Sequence, residues 1–139
     1  MIESIGNSNI SFKGYKPVMN RKFRRFKEYL PEGKDTDLRP MFENLNELCN
    51  RQGFNVKQNI GICPIASKPY IEHWGQDVYY ACFSVKPKSP LKGKKHTSNM
   101  VLGNKSDIKQ MSVQELYEKL EYGVFTAIRQ ARKEIKPKL

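Results

Sequence analysis

The chain has 139 residues, 38% of them apolar and 28% charged, and a net charge of +11. That length suits one domain with one core, and seven Phe, seven Tyr and one Trp supply its bulk. The composition excludes a disordered chain, and an apolar run no longer than Val78–Val85 excludes a membrane-spanning helix.

Residues 1–18 are rich in Ser, Asn, Gly and Pro, and predict an extended N-terminal arm pinned by Phe12 and Tyr15. Met1–Ile10 has an acid at Glu3 and no apolar stretch of the kind a secretory signal needs, so a cytoplasmic protein is expected. In NRKFRRFKEYL, Met19, Phe23, Phe26 and Leu30 repeat at helical spacing. Asn20 is placed to cap that helix, and Pro31 with Gly33 to end it. A second helix begins near Asp37, with Pro40 in its first turn, Met41, Leu45, Leu48 and Cys49 on its apolar face, and Gly53 as its stop.

FNVKQNIGI alternates Phe54, Val56, Ile60 and Ile62 with Asn55, Lys57, Asn59 and Gly61, the period of a half-buried strand. CPIASKP reads as a loop and PYIEHWGQD as a short strand entering a turn. VYYACFSV is apolar on both faces and reads as a central strand, KPKSPLKGKKH as an exposed loop, and TSNMVLG as a further strand. Ser112 and Glu115 have capping-box spacing and open a long helix over 113–135, with Gly123 a weak point in its middle. The expected fold is α+β. A small, mostly antiparallel sheet of three or four strands is packed by the amphipathic helices at 38–52 and 113–135, with a basic N-terminal helix against it. One domain is expected over 19–136, followed by a tail at 137–139.

The charge is segregated. Lys13–Leu30 holds seven basic residues and one acid, Lys86–Lys95 five and none, and Arg129–Leu139 five and one. The rest of the chain is slightly acidic. A solvated basic face is one use for such runs, and a polyanion-binding face is another, because each neutralised phosphate releases counterions. The candidate nucleic-acid contacts are Arg21, Arg24, Arg25 and Lys27, then Lys88, Lys92, Lys94 and Lys95, then Arg132, Lys133 and Lys136. Tyr15, Tyr70 and Trp74 fall outside regular elements and are base-stacking candidates.

Other chemistries find thinner support. Cys49, Cys63, His73, Cys82 and His96 lack the paired spacing of a zinc site, so no metal or other cofactor is expected. The three Cys lie in apolar segments and read as buried thiols. A Cys63/His73 dyad would make a small hydrolase. Glu72 and Asp77 around Trp74 read as a polar turn. No phosphate-binding loop occurs. The basic helix at 20–30 has the pattern of a membrane-surface helix, yet it is only about 16 Å long, and its Phe stripe serves equally to dock it on a sheet.

PMFENLNELCNRQGF, Pro40–Phe54, resembles the first helix of the double-stranded-RNA-binding domain, where a similar helix leads into a three-stranded antiparallel sheet and a closing helix. The resemblance implies an RNA ligand. Such domains open their closing helix with a Lys-rich cluster, where this chain reads SVQELYEK. They also bind through the loop between their first two strands, which CPIASKP does not match.

The expected function is non-enzymatic, electrostatically driven nucleic-acid binding, with RNA slightly favoured over DNA. The alternative is an interaction or regulatory protein whose basic face meets an acidic protein, with residues 70–80 as contact. A cysteine/histidine hydrolase is third.

Overall fold

The computed structural model describes residues 14–63, 78–88 and 94–134. The alternation in FNVKQNIGI forms β2 (Phe54–Cys63), with Phe54, Val56 and Ile60 buried and Asn55, Lys57 and Asn59 exposed. VYYACFSV lies in β3 (Val78–Pro87), antiparallel to β2 from Phe54↔Pro87 to Cys63↔Val78. β4 (His96–Asn104) flanks β3, also antiparallel, with a bulge at Tyr79/Tyr80. On the other side of β2, the short β1 (Tyr15–Pro17) pairs in parallel. The order β1-β2-β3-β4 makes a mixed sheet with two antiparallel ladders and one short parallel one.

The helices begin and end where local chemistry stops them. α1 (Arg21–Tyr29) is capped by Asn20, whose side chain accepts from Phe23 N at 3.0 Å. Phe23, Phe26 and Leu30 are buried, as their spacing requires. Met19, expected on the same stripe, precedes the cap and is 57% exposed, since the helical register starts only at Arg21. A 3-10 turn (Gly33–Asp35) leads to α2 (Arg39–Gln52), which Gly53 ends at a φ of +84°. α3 (Lys105–Lys109) is a single unexpected turn, held by a reciprocal cap between Asn104 and Asp107. α4 (Val113–Glu134) opens on the Ser112/Glu115 box, with bonds of 2.9 and 3.0 Å.

α2 packs on β1 and β2, and α4 on β3 and β4, so both long helices cover one face of the sheet. α1 crosses one end of that layer, where Phe26 and Tyr29 meet Tyr79 with ring centroids about 6 Å apart. Gly123 lets α4 approach β3: a Cβ there would lie 2.6 Å from the Phe83 ring.

The stretch expected as an arm belongs to the sheet from Gly14 onward; residues 1–13, with Phe12, lie outside the described residues. Asn46 Oδ1 accepts from Gly14 N at 2.6 Å and Tyr15 N at 2.8 Å, which ties β1 to α2. A Cβ at Gly14 would lie 2.7 Å from the Asn46 carbonyl oxygen, so the approach needs glycine. Tyr15 is fully buried, stacked on Phe42 at 6.1 Å, and its hydroxyl donates to Gln58 Oε1 at 3.1 Å. It is therefore a core residue and not a base-stacking one. The edge strand buries it because strand alternation at Tyr15 and Pro17 points toward the helices.

Candidate nucleic-acid interface

The helices leave the other face of the sheet uncovered by any described element. Strand alternation sends Lys16, Asn55, Lys57, Asn59, Ser84, Lys86, Thr97 and Asn99 to this face, along with Tyr80 and Cys82. Among the described residues, none of the strand positions on it is acidic. A concavity of about 450 Å³ is set into it, lined by Gly14, Lys16, Asn55, Lys57, Asn59, Cys82, Ser84 and Lys95. Lys16 and Lys57 are direct partners across the β1–β2 ladder, with backbones about 4.8 Å apart. Among the described residues no carboxylate pairs with Lys16, Lys57, Lys86 or Lys95. Like charges held opposite one another repel, and a bound anion relieves that repulsion.

Tyr80 pairs with Gly61 of the neighbouring strand, and a Cβ at Gly61 would collide with Tyr80 Cζ and its hydroxyl oxygen. The glycine thus makes room for the phenol end of the ring on the open face, where Tyr80 is half-buried.

The basic segments are distributed unevenly. The described flanks of the basic loop, Lys86–Lys88 and Lys94–Lys95, share one end of the sheet with the end of α4. His96 bridges them, with Nε2 2.9 Å from Gln130 Oε1 and Nδ1 3.2 Å from Glu134 Oε2. Lys94, Lys95 and Lys133 are exposed there. Lys88 and Arg132 also lie at this end but have internal partners. Lys88 Nζ donates to Asn50 Oδ1 at 2.7 Å, and Arg132 donates to Gln52 with its guanidinium 5.9 Å from the Phe54 ring centroid. α1 sits by Tyr79, about 26 Å along β3 from Pro87 at the strand rise of ~3.3 Å per residue. Its Arg21, Arg24 and Arg25 are exposed and Lys27 is half-buried. Lys94, Lys95 and the end of α4 therefore converge, while α1 packs at Tyr79 and reaches the open face through its cap Asn20, which donates to Asn59 Oδ1 at 3.4 Å. Lys92, Lys136, Tyr70 and Trp74 lie outside the described residues.

The covered side offers less to a polyanion. α2 shows Glu43 and Glu47 to solvent, with Arg51 3.7 Å from Glu47, and the first turns of α4 expose Glu115 and Glu118. The order α2-β2-β3-β4-α3-α4 departs from the one the double-stranded-RNA-binding resemblance implies by the short α3, and acids stand where that resemblance calls for lysines.

His73 and the Cys63 side chain lie outside the described residues, so the proposed dyad does too. Burial pushes the Cys49 thiol up to about 12, and it is no nucleophile at neutral pH. Among the described residues no cluster of His, Cys, Asp or Glu could hold a metal ion, and no helix is long and apolar enough to cross a membrane. Of the 70–80 stretch expected to meet a protein partner, Val78 and Tyr79 are core residues, and 70–77 lie outside the described residues.

No protein-family model, curated protein or solved structure matches this chain.

Proposed function

We propose that this chain is a non-enzymatic nucleic-acid-binding protein that works in the cytoplasm and takes RNA somewhat more readily than DNA. One observation carries the reading: the open sheet face gathers Lys16, Lys57, Lys86 and Lys95 with amide and hydroxyl side chains and no acidic strand residue among the described ones. Ammonium groups neutralise phosphates, and Asn, Ser and Thr hydrogen-bond to phosphate and sugar oxygens. The hairpin lysines Lys94 and Lys95, with Lys133, extend the positive potential past one end of the sheet.

The test is equilibrium binding of the purified chain to labelled mixed-sequence RNA and DNA at about 50 and about 200 mM salt. Six or more phosphate contacts weaken binding roughly a thousandfold over that range. A steep loss supports the reading. No binding at the lower salt overturns it and turns attention to an acidic protein partner.

A further inference from the structure

The open face also bears on the form of nucleic acid, and this step rests on the reading just proposed. We infer that the ligand is a single strand, laid along the concavity of the open sheet face, with a base stacked on Tyr80.

Three observations carry it. The lysines do not form one flat plateau. Lys16, Lys57 and Lys95 line a concavity together with Asn55, Cys82 and Ser84, which suits one backbone entering a groove better than a rigid duplex resting on a surface. From Asn55 to Gly61, β2 runs about 20 Å at the strand rise, room for about four nucleotides, near the lower end of what a small module takes. At the far end the phenol end of the half-buried Tyr80 lies over Gly61, and its ring gives this face an aromatic side chain on which a base can stack once it is free of a partner strand. Bases in a duplex have their faces already occupied.

The helical side argues the same way. A duplex bound there would place phosphates against Glu43, Glu47, Glu115 and Glu118, all exposed. The start of α1 borders the groove, because its cap Asn20 donates to Asn59 Oδ1 at 3.4 Å, while the rest of the helix packs away from it against Tyr79.

The test compares labelled oligonucleotides about 12 nucleotides long, single-stranded and duplex, on the full-length chain and on Lys57→Glu, Tyr80→Leu and Tyr80→Phe. Single strands are expected to bind about tenfold or more tightly than duplexes. Lys57→Glu and Tyr80→Leu should each weaken single-strand binding about tenfold, and Tyr80→Phe should change it less than about twofold. Lys57 is exposed, so its variant carries the test even if Tyr80→Leu fails to fold. Alkylation followed by peptide mass spectrometry adds a second readout, because Cys82 lines the groove and should be protected by saturating oligonucleotide.

Equal duplex binding, unchanged affinity in Lys57→Glu, or an unprotected Cys82 overturns the single-strand inference and leaves nucleic-acid binding standing on another face. Failure of every oligonucleotide to bind at about 50 mM salt overturns both. Polyglutamate binding as tightly as the single strand reassigns the groove to an acidic protein.

Discussion

Single residues decide how closely the layers approach. Gly123 looks like a flaw in α4, since glycine in a helix interior costs about 1 kcal/mol against alanine. The fold reverses that preference, because the missing side chain is where the buried Phe83 ring sits, 2.6 Å from the Cβ position. Gly123→Ala is therefore expected to destabilise by about 1–3 kcal/mol in urea titration, as overpacked cores do. A gain would mean that the helix has slack against β3. Cys49 sets a pH dependence. Its folded thiol titrates near 12, above the ordinary 9.0, so the unfolded chain loses this proton first as pH rises. The contribution is complete below pH 9 and is lost between 9 and 12, by up to about 1.4 kcal/mol per pH unit. Burial raises Tyr15 in the same direction, starting from 10. Denaturation midpoints should fall between pH of about 9 and about 10, and less steeply in Cys49→Ala. Identical slopes would show that Cys49 plays no part.

Elements differ in how plainly the sequence announces them. α1, α2 and α4 were legible because a stripe at helical spacing, a cap and a stop agree at each: Asn20 with Phe23 and Phe26, Gly53, Ser112 with Glu115. β2 was legible from its two-residue period. β1 was not. It has three residues, one of them Pro, and its place depends on Asn46, more than thirty positions later in the chain. α3 was missed because its reciprocal cap spans a single turn with no apolar period to mark it. The β1 contact gives a prediction at this scale. Asn46→Ala leaves Gly14 N and Tyr15 N without their acceptor, a loss of about 1–3 kcal/mol. Hydrogen exchange should show β1 opening first, with α4 unaffected. Uniform loss of protection would mean that β1 is an integral part of the cooperative core.

At the scale of the whole molecule, the sequence showed three basic segments but not the surface they serve. Hairpin and α4 lysines meet at one end because His96 bridges to Gln130 and Glu134, while the Phe stripe docks α1 elsewhere. The lysines that matter most in the proposed account, Lys16 from the first basic segment and Lys57 from outside all three, become neighbours only through the parallel β1–β2 ladder. Half of the open face was readable from Asn55, Lys57 and Asn59. The other half was hidden because Tyr80, Cys82 and Ser84 sit in a segment that reads as apolar on both sides. In the proposed reading Tyr80 takes the stacking role that the sequence suggests for Tyr15, which is buried in the core.

The most direct test of this account is an amide-resolved NMR titration of the full chain with a short single-stranded RNA at low salt. The account predicts shifts concentrated at Lys16, Asn55, Lys57, Asn59, Tyr80, Ser84, Thr97 and Asn99, with α1 and α2 little changed. Shifts confined to Arg21–Tyr29, or spread over the helical face, would contradict it.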